Sequence, residues 1–222
     1  MKKKKGFKFF RWLFLYIPLW FVAITVLWVL VLRWVPVYVT PLMVVRTCQN
    51  WDDDSFVTHK RWQPMEKISP NLAKAVIASE DARFFSHNGF DWIEIDKALD
   101  AHRKGKRLRG ASTISQQTAK NVFLLPGRSW VRKGLEAYFT CLIEWIWGKE
   151  RILEVYLNVA EMGRGIYGAE AAAEHLFTTR ASKLTRKQAA LIAACLPNPL
   201  QRKANKPTPY LLKRASDIQR YM

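Results

Sequence analysis

Hydrophobic and polar positions divide the chain near Arg33. Before it, Leu13 to Leu32 runs without a formal charge. At the helical rise this stretch reaches roughly 30 Å, the thickness of a bilayer's hydrocarbon core. It is apolar on every side, unlike a helix lying on a protein surface. Arg11 and Arg33 bound it, and Trp12, Trp34 and Tyr38 suit the interfaces. The pattern predicts a membrane-spanning helix within residues 12–35. A cleaved signal peptide would end in a small-residue cleavage site, whereas this run ends Val31-Leu32-Arg33-Trp34-Val35-Pro36.

Beyond Pro36 the pattern stays irregular to about Lys67 and then turns helical. Ser69 and Pro70 mark a helix start, with Leu72, Ala75, Val76 and Ser79 on one face. Asp91 and Glu94 have the spacing of a capping box for a helix to about Ala101. His102 to Gly110 reads as a basic loop, and Ser112 as the cap of a helix through about Asn121. Ser129 caps a long helix to Trp147, with Leu135, Tyr138, Phe139, Leu142, Trp145 and Ile146 as its apolar stripe and Gly148 as its end. Lys149 to Ala160 forms another helix. Gly163, Gly165 and Gly168 mark a tight turn before a helix from Ala169, Thr185 with Gln188 caps a further apolar helix ending near Pro197, and a helix-like basic stretch runs up to Met222. No period-two strand follows Pro36, so the fold class is mainly α.

Charge sharpens the picture. The net formal charge is +18, and Lys2, Lys3, Lys4, Lys5, Lys8 and Arg11 supply six of those charges. The cluster precedes the apolar run, so residues 1–11 should stay cytoplasmic while the remainder crosses. The rest of the chain is still strongly basic, which suits a polyanion: nucleic acid, an anionic membrane or substrate phosphates. No helix-turn-helix, RNP or zinc-finger spacing supports nucleic acid. Cys48, Cys141 and Cys195 share no metal-type spacing. Cys141 and Cys195 lie in apolar helical patterns and read as buried thiols.

Three stretches carry candidate chemistry. In Glu80-Asp81-Ala82-Arg83-Phe84-Phe85-Ser86-His87-Asn88-Gly89, two acids end an apolar helix. A carboxylate there faces the unfavourable end of the helix dipole, and partial burial would raise its pKa, which suits acid–base work. In Gly110-Ala111-Ser112-Thr113-Ile114-Ser115-Gln116-Gln117-Thr118-Ala119-Lys120-Asn121, small hydroxyls, amides and one ammonium could bind a sugar or a phosphate. Ser112, Gln116 and Lys120 share a helix face. In Arg128-Ser129-Trp130-Val131-Arg132-Lys133-Gly134-Leu135-Glu136, cations gather where a helix begins and oppose its dipole, so an anionic ligand would explain them. Taken singly, each stretch also has an ordinary structural reading: a solvated helix end, a polar helix, and an Arg132–Glu136 surface pair worth about 0.3–0.5 kcal/mol.

Together the three resemble the family 51 glycosyltransferases, the peptidoglycan polymerases with a lysozyme-like fold. The first matches E-D-x-x-F-x-x-H-x-G, the second G-A-S-T-I-x-Q-Q with its Lys-Asn, and the third R-K-x-x-E. Ile152-Leu153-Glu154-Val155-Tyr156-Leu157-Asn158 matches I-L-E-x-Y-L-N, and a glycine turn runs Gly165-Ile166-Tyr167-Gly168-Ala169-Glu170. The resemblance covers about Ile68 to Pro199 in order. There is no S-x-x-K, so no transpeptidase activity is expected.

The resemblance implies residue roles. Glu80 would be the general base that deprotonates the acceptor's 4-hydroxyl for an inverting attack, with a lipid pyrophosphate leaving. Glu136 would have a second essential role near the pyrophosphate. Lys120, Arg128, Arg132 and Lys133 would neutralise phosphates, while Ser112, Gln116 and Gln117 would contact sugar or phosphate. Asp81, Phe84, His87, Gly89 and Asn121 would support the motif geometry, as Glu154 and Asn158 would support the cleft. The substrates would be lipid II and the growing glycan chain. No cofactor or metal is required, with room for a divalent cation at the pyrophosphate. Further partners would be inner-membrane lipids and cell-division or wall-synthesis proteins, but not nucleic acid. A smaller, membrane-touching jaw is expected within residues 100–132. The expected organisation is a cytoplasmic tail at 1–11, an anchor at 12–35, a linker at 36–67 and a periplasmic glycosyltransferase domain at 68–222. A lytic transglycosylase sharing the lysozyme-like core is the closest alternative, but cleavage has no pyrophosphate for the cations to stabilise.

Overall fold

In the computed structural model, residues 16–105 and 112–222 are described. The basic tail, Trp12 to Leu15, the second half of the basic loop, and Gly110 and Ala111 of the polar stretch lie outside the described residues. Two units divide the chain at Val35 and Pro36. In the first, helix α1 (Ile17–Leu32) has sixteen residues, a length of about 24 Å. Among the described residues no helix is long and apolar enough to cross a membrane.

The second unit is mainly helical. Its elements are α2 (Pro41–Gln49), β1 (His59–Lys60), α3 (Pro70–Glu80), α4 (Trp92–Arg103), α5 (Ile114–Phe123), α6 (Trp130–Ile146) and α7 (Gly148–Val159). After these come β2 (Glu161–Gly163), β3 (Ile166–Tyr167), α8 (Ala169–Phe177), α9 (Arg186–Cys195) and α10 (Pro209–Arg220). Helix α9 is buried from Ala189 to Cys195, and its run of small residues lets α3 and α10 pack closely against it. In a second group α5 packs on α6 and α7. Helix α7 is buried continuously from Val155 to Val159, so it runs through the core rather than over it. Burial of each large side chain there, such as Ile152 or Leu157, contributes about 1.5–3 kcal/mol.

Several elements differ from the sequence reading. The stretch 36–67 holds α2 and β1 and belongs to the same compact unit as the rest. A small three-stranded sheet is present, ordered β1-β3-β2. Its strands are two or three residues long, too short for an alternating pattern to register. In it β1 runs parallel to β3, with His59 opposite Ile166 and Lys60 opposite Tyr167, and β2 runs antiparallel to β3. Gly168 leaves the sheet at φ +81°, where a Cβ would meet the Asn158 carbonyl oxygen at 2.5 Å, so glycine is required. On α6 the buried face is Glu136, Phe139, Thr140, Ile143 and Ile146. Trp145, expected on the apolar stripe, is 81% exposed. Cys141 is exposed as well, while Cys195 is buried as expected, and all three cysteines are free.

Candidate active site

The site is built where α3 ends. Ser69 caps this helix, and Glu80 is its last residue. Asp81, the C-cap, is buried. Its carboxylate meets His87 Nε2 at 2.9 and 3.1 Å, and its Oδ2 accepts the Ile114 N–H at 3.0 Å. One side chain thereby fastens the end of α3, the turn after it and the first residue of α5. Phe84 is fully buried, with Lys149 Nζ 4.5 Å from its ring centroid. Gly89 sits at φ +90°, where a Cβ would lie 2.7 Å from Thr140 Cγ2, and its carbonyl accepts the Thr113 hydroxyl at 2.6 Å. Asp81, Phe84, His87 and Gly89 thus hold the loop in place. Asn121 is half-buried on α5.

The polar stretch forms α5, but its cap is Thr113 rather than Ser112. Thr113 and Gln116 make a reciprocal capping box, which occupies the buried Gln116 side chain. Ser112 is exposed at the wall of a cavity of about 820 Å³ that also takes in Ser79, Glu80, Asp81 and Arg214. The neighbouring amide, Gln117, reaches the acid. Its Nε2 donates to Glu80 Oε2 at 3.0 Å, and its Oε1 accepts the Tyr156 hydroxyl at 3.2 Å. Burial pushes the Glu80 carboxyl above its ordinary pKa, opposed by Gln117, Arg214, Ser79 and Lys120. The family resemblance singled out Glu80 as the base candidate, and tertiary contact supplied these neighbours.

Arg214 is the site residue that motif reasoning missed. It lies on α10, where its Nη2 donates to Ser79 Oγ at 3.4 Å, and that oxygen lies 3.5 Å from Glu80 Oε1. A signal existed: Leu211, Ala215 and Ile218 form the buried face of α10, and Arg214 falls one turn from Leu211 and Ile218.

The cation cluster spans α5 and α6. Glu136 is only 3% exposed, not a surface residue. Its Oε1 accepts from Lys133 Nζ at 2.5 Å, and Arg132 Nη1 lies 3.9 Å from its Oε2. Lys120 is held below the ordinary lysine pKa, first by burial and also by Arg132 and Lys133, while Glu136 and Glu80 act in the opposite direction. It therefore feels both acids. Arg128 is exposed ahead of α6. Ligand-type atoms of Asp81, His87 and Asp91 also lie within 4.8 Å of one another. However, Asp81 is already engaged as described, and Asp91 caps α4 and pairs with Arg83 at 3.2 Å. This trio reads as a structural clasp.

Comparison with known proteins gives a consistent result. The family model described as Transglycosylase matches residues 46–222. A protein of Bacteroides thetaiotaomicron is 60% identical over 205 residues, covering 92% of this chain and 83% of its own. One of Chromohalobacter salexigens is 51% identical over 220 residues, covering 99% and 92%. One of Pseudomonas putida is 54% identical over 205 residues, covering 92% and 87%. Each of the three bears the name biosynthetic peptidoglycan transglycosylase.

Proposed function

The chain belongs to the transglycosylase family as a peptidoglycan glycosyltransferase that polymerises glycan strands, and from that premise we propose that Glu80 is its general base. The acceptor is the GlcNAc 4-hydroxyl of lipid II. Glu80 takes the hydroxyl proton as the oxygen attacks the anomeric carbon of the growing chain. The bond to undecaprenyl pyrophosphate breaks, the anomeric centre inverts, and the lipid pyrophosphate leaves. A sugar hydroxyl is a poor nucleophile at neutral pH, so a positioned base is needed as the bond forms. The observation that carries this reading is the setting of Glu80. The acid lines a large cavity with one carboxylate oxygen tied to Gln117, and partial burial strengthens it as a base.

Lys120, Arg128, Arg132 and Lys133 receive the phosphates, whose negative charge grows as the leaving group departs. Glu136, shared by Lys133 and Arg132, orients those cations rather than moving a proton. Ser112 and Gln117 remain candidates for sugar contact, whereas Gln116 acts through the cap. A divalent cation at the pyrophosphate would compete with Lys133 for Glu136, and no step of this reading uses one. Lytic cleavage is not favoured, because it leaves the cation cluster without an anion.

The domain reads as lysozyme-like. The chain reads as anchored in a bacterial inner membrane by a segment within 12–35, with the N-terminus cytoplasmic and the enzyme domain periplasmic. The uncharged run from Leu13, the lysines before it and the lipid-linked substrate support this. Helix α1 contributes sixteen residues, fewer than the roughly 20 that a spanning helix needs.

The test is polymerisation of lipid II by the folded Glu80→Gln variant beside its parent. The amide is nearly isosteric, so packing loss does not explain inactivity. Loss of polymer at retained Tm is expected, and near-parental strand synthesis would sink the base assignment.

A further inference from the structure

Tyr156 on α7 has no part in the scheme above, yet it lies two residues from Asn158 in the core and is about 1% exposed. Among the described residues, its hydroxyl has Gln117 as its partner, and Gln117 in turn holds Glu80. We infer that Tyr156 is a positioning residue for the reaction, its hydroxyl fixing which end of the Gln117 amide is turned to Glu80. The inference rests on the reading of Glu80 as the base.

A glutamine side chain has two ends of nearly equal shape, a carbonyl oxygen that accepts and an NH2 that donates. Only the NH2 end helps an ionised carboxylate. The carbonyl end would set two lone-pair-bearing oxygens against each other. Gln117 itself is half-buried on a helix face, and the near-equal shape of its two ends leaves packing without a choice between them. A wholly buried phenol removes that freedom. Its O–H needs an acceptor, because an unsatisfied buried donor is costly, and the acceptor within reach is Gln117 Oε1 at 3.2 Å. With Oε1 committed to the phenol, Nε2 must face Glu80 Oε2, at 3.0 Å. The chain of donors then runs one way, from Tyr156 to Gln117 to Glu80, and each bond polarises the next. The bond to Oε2 holds the carboxylate plane, and Oε1, with Ser79 Oγ at 3.5 Å, is the oxygen that takes the acceptor's proton.

Protonated Glu80 would favour the opposite sense, its own O–H donating to a flipped Gln117 carbonyl. Tyr156 therefore biases Glu80 toward the ionised form that acts as base. Other groups facing Glu80 are Ser79 on the same helix, Lys120 on α5 and Arg214 on α10, with Asp81 next in the chain. All of them stay unchanged when Tyr156 alone is altered. The phenol itself stays neutral, since burial and the nearby charges of Glu80 and Asp81 push its pKa well up.

The experiment is the pH dependence of kcat/KM for lipid II polymerisation by the full-length, detergent-solubilised protein and its Tyr156→Phe variant. Phenylalanine keeps the ring and removes only the hydroxyl. The acidic limb should move to higher pH by about half a unit to one unit, as expected for one lost hydrogen bond's worth of carboxylate stabilisation. Tyr167→Phe is the control. It removes another buried hydroxyl, 3.4 Å from Glu161, in the small sheet, and should leave the limb where the parent has it. Titration of Glu80 followed by carboxyl-carbon NMR gives a second reading that needs no activity, and the same upward shift is expected. An unmoved limb and titration in Tyr156→Phe, or equal shifts in both variants, would overturn the role of Tyr156, whatever happens to Tm. The base reading fails separately, through an active Glu80→Gln variant.

Discussion

Glu80 is under opposing demands. As the proposed base it must be ionised, yet burial favours its neutral form. A carboxyl whose folded pKa lies above its unfolded value binds more protons in the native state between the two, so stability falls as pH rises through that window. Glu80 therefore weakens the fold at neutral pH. The Glu80→Gln variant should melt at the same temperature as the parent or higher at neutral pH, with the difference shrinking on acidification. Thermal melts across pH measure this, and a clear drop in Tm at neutral pH would contradict it. Polymerisation by the parent should fall off on the acid side at a pH above the ordinary carboxylate range. Glu136 poses a different question. It is buried against Lys133 and Arg132, and removal of its charge leaves the cations around Lys120 with Glu80 as the remaining acid acting on it. Glu136→Gln should lower kcat severely, by about ten-fold or more if a charged hydrogen bond worth roughly 1.5–3 kcal/mol is lost. Steady-state kinetics on lipid II would reveal this. Parental kcat with only a lower Tm would make Glu136 structural.

At the scale of elements, α5 joins the halves of the site. It is fastened at its start by Thr113, which accepts the Gln116 N–H at 3.2 Å and donates to the Gly89 carbonyl at 2.6 Å. Its later residues carry Gln117 and Lys120. Thr113→Ala should cost about 1–2 kcal/mol, near the upper end for a lost cap because the Gly89 contact goes with it. Thr113→Ser should restore most of that. Denaturant unfolding would measure the difference, and equal stability of the Ala variant and the parent would count against the cap. Much of the element pattern was legible in the sequence. Ser69, Asp91, Ser129 and Thr185 act as caps because capping is decided within a few residues. Asp91 does so without the reciprocal bond expected from Glu94, which pairs with Lys97 instead. Ser112 and Thr113 compete for the start of α5, and a glutamine three residues on selects Thr113, a signal present in the sequence. The face of α6 was not legible, because apolar residues lie on more than one side of it, and packing against α5 and α7 left Trp145 outward.

For the whole molecule, the testable statement is topology. If the proposed topology holds, with the lysines inside and one crossing before Pro36, a phosphatase fused after Met222 should be active in intact cells, since that reporter works only after export. An inactive, full-length fusion would count against a periplasmic domain. The enzyme domain also needs its entry segment, because β1 joins β3 across more than a hundred residues of chain.

By itself the sequence determined the helical class, most helix boundaries, the order of the motifs and the identity of the candidate base and cations. The class and the boundaries rest on local periodicity and caps, which short stretches carry, while the motif order and the roles of the base and cations are what the family resemblance implies. Only the tertiary structure decided what surrounds each group. It brought Arg214 from the last helix to Glu80, turned Gln117 rather than Gln116 toward the acid, buried Glu136 beneath its cations and paired β1 with β3. Those outcomes depend on how helices distant in sequence exclude water together, and on which buried donor finds which acceptor. No short window of sequence contains that information.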